Sequence, residues 1–257
     1  RIVVSYDVDG LSWTGTPLPT AECLDRIRAI DTAGKCDYRP GNFHNPGRPP
    51  LDNDTEQRRV AAAQASAGAD WVLQLDTDEV ILDPHELLLA VVDADARGAV
   101  GVEYPSRYLY CRAEDGRFLE FVRPGWRVMA NYPGPIAIRA GSRPRHARQI
   151  DGGLYRVDFA PNNTDPRHEF DATVHRVISP DQGIVHYYWV RSEEYLRRKM
   201  GWSGHADTYS EPRRLTAWRW HSRHPVLSAI RPASGPDREW FRLVRLSGDR
   251  TFWRGEL

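Results

Sequence analysis

Apolar residues fall in short blocks along this chain, and the spacing within the blocks changes from one to the next. Residues 1–6 are β-branched and apolar and run into Asp7-Val8-Asp9-Gly10, a strand followed by an acidic turn. Thr20 is a candidate N-cap for a helix over 21–32, with Leu24, Ile27 and Ile30 on one face and Gly34 closing it. A short strand near 35–39 and a Pro/Gly/Asn loop to residue 50 follow. Residues 54–67 read as an alanine-rich helix that Gly68 stops. Residues 71–75 read as a buried strand, and 84–97 as a helix capped by Asp83, with Pro84 in its first turn and Leu87, Leu88, Val91 and Val92 as its apolar positions. Strand and helix thus alternate three times in the first hundred residues. That order predicts an α/β fold, a mostly parallel sheet flanked by helices.

The second half has a different texture. Residues 100–111 and 118–122 are strand-like, with a turn at 114–116 between them, and 135–139 and 184–190 are further strands. Residues 140–168, rich in Gly, Pro, Arg and Asn, read as long surface loops. Ser192 caps a helix with Glu193 and Glu194 in its first turn and Arg197, Arg198 and Lys199 in its last, a charge order that complements the helix dipole. There is no internal repeat and no low-complexity linker. One domain over 1–257 is the simplest organisation: a ligand-binding half to residue 100, then an elaborated half with a C-terminal extension. The chain opens in the body of a strand with no Met, which predicts an upstream element in the natural protein.

Charge narrows the function classes. The 35 basic and 35 acidic residues cancel, which argues against a nucleic-acid-coating protein. No apolar run reaches the ~18–20 residues that span a bilayer. Cys23, Cys36 and Cys111 are an odd, widely spaced set, neither a disulfide framework nor a zinc knuckle, and they suit a reducing compartment. Lys35 and Lys199 are the only lysines. So strong a preference for arginine reads as codon bias of a GC-rich bacterium, and it also suits phosphate and carboxylate ligands. A cytoplasmic bacterial protein is expected.

The sharpest signal is Asp76-Thr77-Asp78-Glu79, directly after the apolar residues 71–75. Three carboxylates within four residues repel one another unless positive charge sits among them. At the carboxyl end of a strand in an α/β sheet, a ligand or metal often supplies it. Mg²⁺ and Mn²⁺ typically bridge such oxygens to phosphates. A solvated turn leading to a helix cap at Asp83 is the plainer reading.

Residues 58–79, Arg-Arg-Val-Ala-Ala-Ala-Gln-Ala-Ser-Ala-Gly-Ala-Asp-Trp-Val-Leu-Gln-Leu-Asp-Thr-Asp-Glu, resemble the core of a family-2-type glycosyltransferase with the GT-A fold. In that family an arginine-bearing helix precedes a strand ending in Asp-x-Asp. Asp9-Gly10-Leu-Ser12-Trp-Thr14-Gly15-Thr16 is similar to the family's Asp-Gly-Ser-Thr-Asp-Gly-Thr nucleotide loop, departing by Leu11, by Trp13 and by the absence of the later Asp. The resemblance covers roughly residues 1–100. It implies the GT-A version of the α/β fold and a metal-dependent, hexosyltransferase-like activity with inversion, serving glycan or glycoconjugate synthesis. The donor would be a nucleoside-diphosphate sugar, and the acceptor a hydroxyl of a glycan, a lipid-linked molecule or a small molecule. Asp7 or Asp9 would contact the base, Arg58 or Arg59 the phosphates, and Asp76 the ribose or the metal. Asp78 would bind Mn²⁺ or Mg²⁺.

The second half supplies the remaining candidates. His186 lies in an apolar strand, where a half-buried structural role competes with the further metal contact that the resemblance implies. Trp189 and Tyr188 suit a sugar face or a core. His205 can reach donor phosphates or simply end a helix. Glu169, Asp171 and His175 have the chemistry of a general base for the acceptor hydroxyl, with Asp171 favoured because strand-like residues 172–178 follow it. Two other readings stay open. Asp76-Thr-Asp78 also fits the first motif of a haloacid-dehalogenase-type phosphatase, although that family's later paired aspartates are missing. A carbohydrate- or nucleotide-binding protein without turnover would need the same acids.

Overall fold

The helix with the richest apolar content shows how the layers meet. The computed structural model of the chain describes residues 1–168, 172–206, 212–230 and 238–246. Helix α3 (Pro84–Ala96) buries Leu87, Ala90, Val91 and Ala94 against Val102, Tyr104, Ile136, Tyr155 and Val157 of a sheet. Each large side chain so covered contributes about 1.5–3 kcal/mol. Its neighbours Leu88 and Val92 are 56% and 63% exposed, so the buried stripe is narrower than the apolar run predicts. The Asp83 carboxylate accepts from Glu86 N at 3.0 Å, realising the predicted cap.

The first hundred residues keep the predicted order with one strand added, β4, directly after the acid turn. They comprise β1 (Ile2–Asp7), α1 (Thr20–Ile30), β2 (Cys36–Gly41), α2 (Pro50–Ser66), β3 (Trp71–Leu73), β4 (Glu79–Ile81) and α3. Helix α2 starts four residues earlier than expected because Pro50 suits a first helical position. Strands β5 (Gly101–Glu103), β6 (Ser106–Arg112), β7 (Phe118–Arg123), β8 (Arg127–Val128), β9 (Ala137–Arg139), β10 (Leu154–Asp158), β11 (Arg176–Val177) and β12 (Ile184–His186) follow. Helices α4 (Glu193–Trp202), α5 (Pro212–Arg223) and α6 (Pro225–Ile230) and strand β13 (Phe241–Val244) complete the described residues. The molecule is a mixed α/β protein.

The expectation of one mostly parallel sheet is corrected. The described residues form three sheets: β1–β2, then β11-β10-β5-β9-β3, then β13-β7-β6-β12-β4 with β8 on β7. Parallel pairing joins β1 to β2, β5 to β10, β10 to β11 and β6 to β12; the other pairs are antiparallel. The reasons are local. Residues 100–111 do not form one strand, because Pro105 interrupts the ladder and the chain passes there from the second sheet to the third. Strand β10 lies in the stretch read as loops. Strand β3 is an edge strand, and Leu73 and Leu75 are 45% and 43% exposed, so the run before the acid turn is only half buried. Among the described residues no helix is long and apolar enough to cross a membrane.

A second core lies under α4 and α5, built from Tyr110, Leu119, Trp189, Leu196, Trp218 and Phe241. Inside the third sheet, Glu120 is fully buried between two arginines. Arg107 grips it with Nε and Nη2 at 2.8 and 3.0 Å, and Arg242 Nε adds a bond at 3.0 Å. Removing a buried partner leaves uncompensated charge. Glu120→Ala is expected to cost ~3–5 kcal/mol in urea unfolding. Asp115→Ala, which breaks an exposed pair with Arg117, is expected to leave the urea midpoint nearly unchanged.

Candidate functional site

Strand β3 delivers the acid turn, and β4 begins inside it. Glu79 N bonds Asp76 O, and the Glu79 carboxylate accepts from Asp76 N at 2.9 Å, closing the turn on itself. Strand β4 then pairs antiparallel with β12 in a register that sets His186 opposite Glu79. This pairing puts His186 Nε2 3.2 Å from Asp78 Oδ1.

Arg148 arrives by a longer route. Strand β9 runs antiparallel to β3 and so leaves the acid turn behind. The following loop returns along α2, touching it at successively earlier residues. Gly141 N bonds Ser66 Oγ, Pro144 O accepts from Arg59 Nε at 2.7 Å, and Ala147 N bonds Thr55 Oγ1 at 2.9 Å. The loop ends with Arg148 on the turn, its Nη2 2.9 Å from Asp76 Oδ2 and 2.6 Å from Glu79 Oε1. Gly134, at φ +136°, makes room for it; a Cβ there would lie 2.7 Å from that of Arg148. Arg148 is 2% exposed, so the stretch that reads as surface loop contributes a buried counter-ion.

Two further elements complete the charge pattern. From α2, Arg58 bonds Asp54 at 2.8 Å and Asp76 Oδ1 at 3.0 Å. From α4, Lys199 Nζ lies 3.2 Å from Asp78 Oδ2, and Arg191 just before that helix lies 3.7 Å from the same oxygen. Burial raises the pKa of Asp76 and of Asp78, but the neighbouring charges outweigh it and hold both below the usual range. For Asp76 these are Arg148 and Arg58; for Asp78 they are the hydrogen bond and charge of His186, then Lys199 and Arg191. Asp54 moves the other way, raised chiefly by burial.

The predicted residues fall into groups. Asp76, Asp78, His186 and Arg58 converge, with His205 close enough to Asp54 and Arg58 to feel their charge; burial lowers its pKa. Asp7 is buried and accepts four backbone N–H bonds, from Asp9, Leu11, Phe43 and His44; these outweigh burial and lower its pKa. Asp7 thereby ties the loop after β1 to the loop after β2, while Asp9 is exposed. Arg59 points away from the acids and holds Pro144 O and Arg145 O. Trp189 lies in the second core, 5% exposed. Strand β12 ends at His186, short of the expected residue 190, and in the bend that follows, Tyr188 stays half-buried at the site, 5.1 Å from the Tyr108 ring, which itself meets His186 edge-on at 4.6 Å. His175 is not brought to the acids. It stacks on Tyr155 at 5.0 Å near β11, the far edge of the sheet from β3. Glu169 and Asp171 lie outside the described residues.

The sequence does not flag Arg148, Arg191 or Tyr108 as site residues, because each depends on non-local pairing. Lys199 carries one signal, as one of two lysines in a chain that otherwise uses arginine.

Among the described residues no three His, Cys, Asp or Glu are grouped to hold a metal ion. The donor set nearest to one is the pair Asp78 and His186, since both oxygens of Asp76 are engaged by guanidinium groups. Their 3.2 Å separation suits two ligands at right angles on one small ion, for which ~2.1 Å bonds imply ~3 Å. Mg²⁺-like ions commonly take one or two protein donors and complete their shell with water and phosphate. The pair therefore fits such an ion.

The chain matches no protein-family model, no curated protein and no solved structure.

Two outcomes follow from these charges. Arg148→Met leaves Glu79 and Asp76 without their buried partner and is expected to cost ~3–5 kcal/mol in urea unfolding. A depressed folded-state pKa contributes stability above the unfolded carboxylate value of ~3.9 and loses it as pH falls through the folded value. Unfolding free energy measured from pH 6 down to pH 2 should therefore fall below about pH 4, and less steeply in Asp78→Asn.

Proposed function

We propose that this chain is a metal-dependent glycosyltransferase with the GT-A fold. It moves a hexose-like sugar from a nucleoside diphosphate to a hydroxyl acceptor, with inversion, in glycan or glycoconjugate synthesis. The observation that carries this reading is the acid turn at the end of β3, where Asp78 is paired with His186 and the whole is ringed by Arg58, Arg148, Arg191 and Lys199. Such a site offers oxygen and imidazole donors to a divalent cation beside guanidinium forks that suit a diphosphate.

Asp78 and His186 would hold Mn²⁺ or Mg²⁺. Bound there, such an ion would supply Lewis-acid stabilisation of the leaving diphosphate. Arg58 and Arg148, locked by their carboxylates, orient Asp76 toward the donor and keep it ionised. The loop carrying Ser12 and Trp13 forms the nucleotide wall. It is fixed on α2 by Trp13 Nε1 to Gln57 at 2.7 Å and by Asn53 Nδ2 to Trp13 O at 3.0 Å. Tyr108 and Tyr188 offer aromatic edges and faces to the sugar beside His186. Asp171 is the base that takes the acceptor proton, with Glu169 two residues before it in sequence. A phosphatase reading would need Asp76 free to attack phosphorus, whereas both its oxygens are held.

Binding to the native state raises the melting temperature by mass action. UDP, GDP, TDP and CMP are to be tested with and without Mn²⁺. One diphosphate at about a hundredfold excess over Kd should shift the wild type by ~5–10 °C, and only with Mn²⁺. Asp78→Ala should abolish the shift. No shift with any nucleotide in a folded protein would contradict the donor site. Asp171→Asn should retain that shift while lowering sugar transfer ~10²–10⁴-fold; unchanged turnover would exclude Asp171 as the base.

A further inference from the structure

The proposed donor site is electrically balanced before any ligand arrives. Asp54, Asp76, Asp78 and Glu79 face Arg58, Arg148, Arg191 and Lys199, four carboxylates against four permanent cations. A lone divalent cation would leave this cluster with an excess of two positive charges. A nucleoside diphosphate alone would make it strongly negative. The two together come close to neutral.

The cations are not equally fixed. Arg58 is held by two carboxylates, and Arg148 by two carboxylates and Gln74 O. Lys199 has Asp78 as its one polar partner among the described residues. Its flexible stem lies beside Trp189, Leu196 and Met200, and the side chain is 20% exposed, so the ammonium can swing without disturbing the helix. It also sits on the carboxylate that, with His186, forms the donor pair. A divalent cation on Asp78 would be only a few ångströms from the ammonium, where like charges repel strongly.

Helix α4 faces the nucleotide wall as well. Thr14 Oγ1 donates to Gly201 O at 2.9 Å, and Gly204 lies so close to Asp54 that a Cβ would be 3.3 Å from its Cβ. The last turn of α4 thus spans from the acid turn to the loop after β1, so an ammonium leaving Asp78 stays beside the loop read as the nucleotide wall.

We propose that Lys199 is a resident counter-ion that competes with the divalent cation for Asp78, and that it exchanges Asp78 for the donor diphosphate when the metal binds. Metal and nucleoside diphosphate therefore bind as a pair. This rests on the donor-site reading above.

Mn²⁺ affinity can be read directly by titrating the free-ion EPR signal, with and without UDP or GDP, in wild type, Lys199→Met, Lys199→Arg and Asp78→Asn. Lys199→Met should bind Mn²⁺ alone about tenfold tighter, and the diphosphate in saturating Mn²⁺ about tenfold more weakly. Lys199→Arg keeps the charge and should stay near wild type for Mn²⁺ alone. Unchanged or weaker Mn²⁺ binding in folded Lys199→Met, with binding still lost in Asp78→Asn, would overturn the counter-ion role and leave the donor site standing. Tighter Mn²⁺ with unchanged diphosphate affinity would overturn the exchange. Absence of Mn²⁺ binding in every folded variant, with and without nucleotide, would overturn the donor-site reading itself.

Discussion

Three carboxylates in a four-residue turn are the constraint around which this molecule is organised. Two like charges 4 Å apart repel by about 4 kcal/mol at an effective dielectric of 20, and Glu79 has no access to water. The turn persists because partners from four separate parts of the chain reach it: the cations Arg58 from α2, Arg148 from the loop after β9, and Arg191 with Lys199 around the start and end of α4, and the His186 imidazole on β12. The second half is thereby tied to the first through charge as well as through its apolar cores. Every one of these bonds is non-local, so the turn is stable only in the assembled fold.

The same constraint explains why the sheets depart from a simple parallel order. Strand β4 turns back immediately after the acids and pairs antiparallel with β12, which is what carries His186 to Asp78. The loop after β9 must travel back along α2 before it can present Arg148. Arg59, expected near phosphates, serves that return by binding Pro144 O and Arg145 O. Neighbouring arginines on one helix turn thus divide between the acids and the loop that supplies their partner.

Local features were legible in the sequence, and relations between distant segments were not. The helix caps at Asp83 and Ser192, the order of elements to residue 97 and the acid turn follow from spacing and residue type. Only the family resemblance implies that Asp76, Asp78 and His186 converge, since nothing local to residues 184–190 specifies a register against β4. Trp189 and Tyr188 show the limit clearly. Composition treats both as aromatic candidates, and the bend after β12 sends one to the core and leaves the other beside His186. His175 has suitable chemistry, but its strand lies at the far edge of the second sheet. Residues 140–168 read as surface loops, because no sequence pattern marks Arg148 as buried.

The most direct measurement is pulsed EPR of Mn²⁺ bound to the protein together with the nucleoside diphosphate that stabilises it. A cation held by Asp78 and His186 and bridged to the donor must show nitrogen coupling from a histidine and phosphorus coupling on the same ion. The nitrogen signal should vanish in His186→Gln while the phosphorus signal remains. Phosphorus coupling with no histidine nitrogen in the wild type, or a nitrogen signal that survives His186→Gln, would contradict the assignment of this cluster as the cation and donor site.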